Sequence, residues 1–392
     1  MSIKEYYSDE ELAAIELFTG SDYTESLLQF AYAFCVIFTV IGIPGNLITI
    51  IALASCKKFR NATAIFIINL QMCHLLFCCM ILPMSAVTFS TRHWIFGKTM
   101  CSIYPMMKFG LNGTAHFTVV AITINRYIIV CHPHFYPKLY KKKILVMSLL
   151  STWVTGFIMF IPAVFGLWGR FDLEPSGGNC TMLSDKNNFS PKKFFVSLAF
   201  VAPYSFIIVC YSRIWWKVRK TAQKRKAHNA RSIKPEISDN ELDSSTVERG
   251  SAYQEPLKRV ESNTDSEQPS PNTLTPDGRE NSVVNFFKKS FKITKKEDRL
   301  HLPTRKDKKL ATMIFAIIVS FTVCHLPIML TRVLYGDYKT KPLLNVLAHL
   351  LDYSSAFISP IIYVLMSSEY RQAYRSLFED CKNKIMKCFT SS

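Results

Sequence analysis

Seven long apolar runs, separated by polar connections, restrict how this chain can fold more than any other feature of the sequence. Each run is long enough for the roughly 20-residue helix that crosses a bilayer. A large soluble α/β protein would instead show apolar runs of about 4–8 residues broken by turns. The pattern predicts an all-α membrane protein, a seven-transmembrane helix bundle. The expected spans are residues 29–55, 64–89, 100–130, 144–167, 194–216, 310–333 and 342–366.

Charge lies almost entirely outside these runs, although 49% of the 392 residues are hydrophobic and 19% charged. Basic residues gather between spans one and two, between spans three and four, and after span seven. They are Lys57, Lys58, Arg60, Lys138, Lys141, Lys142, Lys143, Arg371, Arg375, Lys382, Lys384 and Lys387. The segment before span one carries only Lys4 against seven acidic residues. Because Lys and Arg mark cytoplasmic connections, we expect a multi-pass cell-membrane protein with an extracellular N-terminus.

The net charge of +18 is explained by this distribution, since the basic face meets anionic membrane lipid, and no nucleic-acid partner is needed. No basic-then-apolar leader precedes residue 29, so we expect span one to act as an uncleaved signal anchor. No spacing of a nucleophile and base, or of metal ligands, indicates an enzyme or a cofactor site outside the bilayer.

The chain divides into five predicted regions. They are an acidic extracellular segment (1–28), transmembrane helices one to five (29–216), a long cytoplasmic loop 3 (217–309), helices six and seven (310–366) and an amphipathic helix with a cytoplasmic tail (367–392). The middle of loop 3 is acidic and rich in Ser, Thr, Asn and Pro, a composition that cannot bury enough apolar surface to order itself. We therefore expect most of loop 3 to be disordered.

An apolar stripe beside basic residues follows span seven and predicts a short helix on the inner leaflet. Its members are Tyr370, Ala373, Tyr374, Leu377 and Phe378. Two cysteines just beyond the stripe, Cys381 and Cys388, are candidate sites of palmitoylation.

The chain has 12 cysteines, most of them inside apolar runs. Cys101 and Cys180 are the two that the topology places outside, and the oxidising outer space predicts that they pair. The same outer loop carries two glycosylation sequons, at Asn179 and Asn188.

Each predicted helix except the second carries a recognisable marker. The markers are Gly45, Asn46, Cys101, Asn125, Arg126, Tyr127, Trp153, Pro203, Tyr211, Phe321, Cys324, Pro327, Ser359, Pro360 and Tyr363. As an ordered set they resemble the rhodopsin-like (class A) G-protein-coupled receptors, over essentially the whole chain outside loop 3. The resemblance implies a receptor that relays an extracellular signal to heterotrimeric G proteins, with kinases and arrestin acting on loop 3 and the tail.

Three stretches, 121–127, 167–171 and 211–215, are similar to the insect trapped-in-endoderm and moody group of orphan receptors. That resemblance implies a role in guided cell migration, cell polarity or epithelial barrier organisation.

The expected signalling switch is built around Arg126, at the inner end of span three, where an arginine must be paired or reach the interface. Most of the class has an acidic residue before this arginine, whereas this chain has Asn125. The nearest carboxylate on another helix is Asp307, so we expect a weak Arg126–Asp307 contact and appreciable ligand-free signalling. By resemblance, Tyr127, Tyr211, Pro360 and Tyr363 complete the switch.

Two substitutions depart from the class. His74 stands where an aspartate is expected, with Leu111, Ala115 and Ser359 at neighbouring positions, so the hard oxygen ligands of a sodium site are missing. His325 replaces a tryptophan beneath the expected pocket, one turn from Phe321.

The expected ligand pocket contains Lys108 where aminergic receptors carry an aspartate, which disfavours an amine ligand. Lys108 either binds an anionic headgroup or forms an internal ion pair with Asp352. Arg332 and His349 near the outer rim add positive potential. A basic peptide remains an alternative ligand if the N-terminal tyrosines are sulfated, and a decoy receptor that does not couple remains an alternative function.

Overall fold

The computed structural model describes residues 4, 7–19, 23–55, 61–176, 178–184, 194–195, 198, 201–232, 305–334 and 341–390. The chain forms two compact units, one made of residues 1–220 and 303–392 and the other of residues 221–302. Most of the second unit, and with it most of loop 3, lies outside the described residues.

Eight long helices account for most of the described chain. They are α1 (Glu25–Ser55), α2 (Ala62–Thr91), α3 (Gly97–Cys131), α4 (Lys142–Ile158), α5 (Ala202–Ser232), α6 (Arg305–Leu334), α7 (Pro342–Met366) and α8 (Ser368–Thr390). Short helical segments lie at Asp9–Ala14, Pro133–Phe135, Tyr136–Leu139 and Ile161–Val164. Two antiparallel strands, β1 (Arg170–Glu174) and β2 (Asn179–Leu183), form a hairpin with Leu173 opposite Cys180.

Among the described helices, six are long and apolar enough to cross a membrane: α1, α2, α3, α4 with its extension to Val164, α6 and α7. The fifth predicted span, 194–216, continues into α5, and part of its first half lies outside the described residues. The fourth predicted span is interrupted between Ile158 and Ile161. Pro162 lies just beyond the break and lacks the backbone N–H that a continuous helix would need there.

Small residues allow α3 and α4 to pack closely. A Cβ at Gly113 would lie 3.2 Å from the carbonyl oxygen of Gly156, so the two backbones nearly touch. Close approach at glycines is the usual way that helices associate where lipid removes the hydrophobic drive between them. The indole Nε1 of Trp153 donates to Asn69 Oδ1 at 2.8 Å and ties α4 to α2.

The helix predicted after the seventh span is present as α8, with 23 residues. Its Tyr374 lies 2.9 Å, hydroxyl to hydroxyl, from Thr49 of α1. Tyr370 stacks on Tyr363 of α7, with ring centroids 5.0 Å apart. These contacts hold α8 against the end of the bundle that contains Arg126, which we call the Arg126 end.

Candidate functional site

The predicted Cys101–Cys180 disulfide is confirmed and joins β2 to the first turns of α3. Both cysteines are buried. The bond holds the β hairpin over the helices at one end of the bundle, which we call the disulfide end.

A cavity of about 120 Å³ lies beneath the hairpin at the disulfide end. Its walls come from α3, α6, α7, β2 and the aromatic side chains Phe109, Phe160 and Phe195. The polar and charged side chains that line it are Lys108, Asn112, His116, Asn179, Thr181, His325, His349 and Asp352. Four of the five predicted pocket residues are therefore brought together, whereas the side chain of Arg332 lies outside the described residues.

Asp352 is hydrogen-bonded to His325, a partner that sequence reasoning missed. The charge of Lys108 also acts on the Asp352 carboxylate, and the choice between an ion pair with Asp352 and an anionic ligand stays a prediction. The distance from His325 Nδ1 to Asp352 Oδ1 is 2.6 Å, and both side chains are at most 5% exposed. The pair joins α6 to α7 at the floor of the cavity. The imidazole that replaces the usual tryptophan thus donates a hydrogen bond to the carboxylate.

Lys108 also belongs to a second polar network. Its ammonium group donates to the Tyr353 hydroxyl at 3.2 Å and lies 4.9 Å from the centre of the same ring. The Ser85 hydroxyl donates to Tyr353 at 3.2 Å and contacts the Tyr104 hydroxyl at 2.8 Å. This network links α2, α3 and α7, so displacement of Lys108 by a ligand would be felt on three helices.

His116 is a pocket residue that sequence reasoning missed. Its ring centre lies 4.6 Å from that of His325 and 6.0 Å from that of Phe321. It follows Lys108 by eight residues, a spacing that places both side chains on one face of α3, so helical periodicity was the signal that could have found it. His74 of α2 stacks on Phe321, with ring centroids 5.3 Å apart. Three histidines therefore surround one phenylalanine.

The position where the class holds sodium is largely apolar in this chain. Leu111 and Ala115 are buried beside the histidine cluster, and Ser359 is fully buried on α7. Among the described residues no group of three or more His, Cys, Asp or Glu side chains is placed to hold a metal ion. The chemistry of this donor set does not fit a sodium ion, which prefers anionic oxygens.

At the Arg126 end, Asn125 is engaged with α2. Its Oδ1 accepts a 2.6 Å hydrogen bond from the Thr63 hydroxyl, and both residues are buried. Arg126 is also buried, and its charge acts on Tyr211 of α5 and on Tyr140 in the connection after α3. Burial raises the pKa of the Tyr140 hydroxyl, which keeps it a neutral hydrogen-bonding group.

Three further switch residues have defined positions. Tyr363 is fully buried and stacks on Tyr370, while Pro360 lies buried inside α7. The Tyr127 hydroxyl lies 3.4 Å from His132 Nε2. Tyr363 thus contacts α8, and its expected partnership with Arg126 stays a prediction.

Several predicted sites fall where the structure gives no side-chain description. These are Asp307, Arg332, Cys381 and Cys388 within helices, and Asn188 in the outer loop. Asn179 is described, half-buried on β2 at the cavity wall. The Arg126–Asp307 contact, the glycosylation sites and the palmitoylation sites stay predictions.

The chain is similar to known receptors over most of its length. The sequence profile of the family described as 7 transmembrane receptor (rhodopsin family) matches residues 45–363. The G-protein coupled receptor moody of Drosophila melanogaster is 32% identical over 360 residues, 91% of this chain and 52% of that protein. The protein trapped in endoderm-1 of Drosophila melanogaster is 31% identical over 373 residues, 94% of this chain and 81% of that protein.

This chain therefore spans about half the length of the moody receptors that it matches. A crystal structure of squid rhodopsin shares the fold, with a TM-score of 0.66, 18% sequence identity, and coverage of 93% of this chain and 90% of that chain. The family match, the relatives and the shared fold agree with a multi-pass helix bundle. The chain belongs to the rhodopsin family of seven-transmembrane signalling receptors, which are not enzymes.

Proposed function

We propose that this receptor lies in the cell membrane with residues 1–28 outside, binds a ligand through an anionic group, and activates a heterotrimeric G protein. The orientation is supported by the basic connections at the Arg126 end and by the disulfide at the opposite end, since disulfides persist in the oxidising outer space. Loop 3 and the tail are the expected sites of kinases and arrestin. The resemblance to the insect trapped-in-endoderm and moody group supports a role in guided migration, polarity or barrier organisation.

The observation that carries the ligand proposal is the charge of the cavity. Among the described residues that line the cavity, Asp352 is the one carboxylate and is hydrogen-bonded to His325, while the basic residues Lys108, His116 and His349 outnumber it. Two unit charges 4 Å apart have an interaction energy of about 4 kcal/mol at the effective dielectric constant near a protein surface. An anion beside Lys108 would therefore be favoured and an ammonium ion opposed.

The size of the cavity restricts which part of the ligand enters. The cavity has a volume of about 120 Å³. Drug-sized ligands occupy cavities of about 300–1,000 Å³. The cavity thus suits the carboxylate or phosphate end of a larger lipid or peptide, whose remainder lies toward the hairpin.

The coupling route follows the two helices that carry both sites. α3 holds Lys108 at the cavity and Arg126 at the other end, and α6 holds His325 with Pro327 two residues further on. A proline inside a helix removes a backbone hydrogen bond and leaves a bendable point. An anion that competes with Asp352 for His325 would loosen α6 from α7 and bias a two-state bundle.

The test is nucleotide exchange on purified heterotrimeric G protein by the full chain in lipid nanodiscs, challenged with straight-chain carboxylates and lysophosphatidates. Uncharged alcohols of equal chain length serve as matched ligands. We expect stimulation by the anions only, and its loss in Lys108→Met, which keeps the apolar length of the side chain. Equal responses to alcohols, or a full response in Lys108→Met, would contradict the proposed anion site.

A decoy receptor is the second candidate, and the replacement of an acidic residue by Asn125 is the observation that favours it. A decoy would internalise bound ligand without stimulating nucleotide exchange. Exchange above the receptor-free level, abolished by Arg126→Leu, decides for the coupled receptor.

A further inference from the structure

Residues 8–19 and Tyr23 pack against the disulfide end of the bundle, and we call them the N-terminal strap. The apolar side chains of the strap are buried: Leu12 and Leu17 are fully buried, Phe18 is 4% exposed and Tyr23 is 8% exposed. They belong to the same hydrophobic cluster as the two disulfide cysteines. The strap is therefore part of the core at this end.

The first anchor of the strap is the connection between α2 and α3. Asp9 Oδ1 accepts a hydrogen bond of 3.0 Å from the backbone N–H of Lys98, in the first turn of α3. A carboxylate at this place satisfies a backbone donor and interacts favourably with the helix dipole. The N–H of Leu17 donates to the carbonyl oxygen of Arg92 at 2.8 Å, and one Nη of Arg92 donates to the carbonyl oxygen of Tyr23 at 2.7 Å. These bonds hold both ends of the strap on the connection.

The second anchor is an aromatic slot beside the β hairpin, which we call the Phe18 slot. The Phe18 ring packs against the rings of Phe89 and Tyr23, with centroids 5.4 and 5.2 Å apart. The N–H of Phe18 donates to the carbonyl oxygen of Pro175 at 2.7 Å, in the turn between β1 and β2. Gly178 in the same turn has a φ of +73°, and a Cβ there would overlap the Phe18 ring. The slot therefore requires glycine at position 178.

The backbone of Phe18 shows how firmly its ring is held. Its φ is 59°, in the left-handed region that bulky residues rarely adopt. Strain of this kind persists only where the surrounding structure over-determines the conformation. The contacts of the ring in the slot therefore outweigh the backbone cost.

The third anchor joins the strap to α7. Asn345 Nδ2 donates to the Tyr23 hydroxyl at 2.9 Å, and both residues are buried. Asn345 lies near the start of α7, about two helical turns before Asp352. The strap thus holds the beginning of the helix whose Asp352 is hydrogen-bonded to α6.

The Phe18 slot also borders a wall of the central cavity. Gly178, which adjoins the Phe18 ring, is followed directly by Asn179 and Cys180, and both of these residues line the cavity. A displacement of the ring would therefore act on the cavity wall and on the start of α7 together.

A segment that fills an aromatic slot and is anchored at three places resembles a ligand attached to its own binding site. We propose that the N-terminal strap is an intramolecular ligand, and that Phe18 in its slot holds the β hairpin and the start of α7 in the arrangement of this structure. Because that arrangement contains the hydrogen bond between Asp352 and His325, the occupied slot restrains ligand-free signalling. The restraint rests on the proposed receptor function, whereas the slot as a binding site for one small aromatic ring does not.

The test uses Phe18→Gly, which removes the ring and suits the positive φ of this position. Toluene is the missing side chain with one added hydrogen, and buried apolar cavities bind small aromatic molecules. The measurement is amide hydrogen exchange of the full chain in nanodiscs, with and without toluene. Exchange in the hairpin and at the start of α7 should be about tenfold faster than in the parent, the equivalent of 1.4 kcal/mol of lost protection. Toluene should restore the parent rates.

Two further variants separate the slot from the α7 anchor and from general loss of packing. Tyr23→Phe removes the hydroxyl that accepts from Asn345 but keeps the ring, so it should speed exchange at the start of α7 and leave the hairpin at the parent rate. Phe38→Ala removes a similarly buried ring from α1 and should also leave the hairpin at the parent rate. Basal nucleotide exchange on G protein should rise about fivefold in Phe18→Gly, the equivalent of 1 kcal/mol, and toluene should reverse the rise.

Parent-like hairpin protection in Phe18→Gly, a loss that toluene does not restore, or an equal loss in Phe38→Ala would overturn the occupied slot. Lost protection with basal nucleotide exchange at the parent level would overturn the restraint. If Phe18→Gly is not monodisperse, Tyr23→Phe decides, and unchanged protection at the start of α7 would overturn the α7 anchor. A parent that never stimulates nucleotide exchange contradicts the proposed receptor function, and with it the restraint, while hydrogen exchange still decides the slot.

Discussion

Replacing Asp352 with asparagine should raise the ligand-free activity of the receptor. The carboxylate receives a 2.6 Å hydrogen bond from His325, and this buried pair is a direct polar tie between α6 and α7. Asparagine keeps the shape and one acceptor oxygen but removes the charge. The tie is therefore weakened without a cavity being created.

The size of the effect follows from the difference between charged and neutral hydrogen bonds. A bond to a charged group contributes about 1.5–3 kcal/mol and a neutral one about 1 kcal/mol, so the substitution removes roughly 0.5–2 kcal/mol. If α6 must part from α7 for activation, that loss falls on the resting state alone. The ratio of active to resting receptor should rise about tenfold, since 1.4 kcal/mol is a factor of ten.

The assay is basal nucleotide exchange in nanodiscs at equal receptor concentration. Ser355→Ala is the matched control, because the Ser355 hydroxyl is buried on the same helix and donates to a backbone oxygen of α7 itself. We expect the control to match the parent. Basal exchange that is unchanged or lower in a correctly folded Asp352→Asn receptor would refute the reasoning that the pair restrains α6.

Three further predictions concern the frame and the switch. Cys101→Ser removes the disulfide, whose cysteines are 79 residues apart, and should lower the free energy of unfolding by about 2–5 kcal/mol. The measurement is the melting temperature, which should fall; an unchanged value would contradict the prediction. Asn125→Asp places a carboxylate beside Arg126 and should reduce basal nucleotide exchange about fivefold, the equivalent of a 1 kcal/mol ion pair. Increased basal exchange would contradict the expectation that a carboxylate beside Arg126 stabilises the resting state. Gly156→Ala places a Cβ 2.7 Å from a backbone nitrogen of α3 and should cost about 1–3 kcal/mol in thermal denaturation. Gly45→Ala, with its nearest contact at 3.5 Å, is the control, and equal melting temperatures of the two variants would contradict the packing argument.

The helices were predictable because the requirement is local. A run of apolar residues long enough to cross hydrocarbon must satisfy its own backbone hydrogen bonds, and a single helix does so. The disulfide was predictable for a similar reason, since topology left Cys101 and Cys180 on the same side. Sequence reasoning missed the break after Ile158, which separates the fourth predicted span into two helical pieces.

The partners inside the bundle depend on how neighbouring helices rotate against one another, and no pattern along one helix contains that information. Lys108 and Asp352 were expected to face the same cavity, and both line it. The hydrogen-bond partner that the sequence did not reveal comes from α6, where His325 Nδ1 lies 2.6 Å from Asp352 Oδ1. The Asn125–Thr63 bond is of the same kind, since it joins two helices whose register the sequence does not specify.

The account depends most on the claim that the bundle transmits a signal from its cavity to a G protein through α3 and α6. The most direct measurement is GTP exchange on a purified heterotrimeric G protein, catalysed by the full chain in nanodiscs, beside Arg126→Leu. The account predicts exchange above the receptor-free level that the substitution removes. Exchange equal to the receptor-free level, with and without anionic ligands, would contradict it.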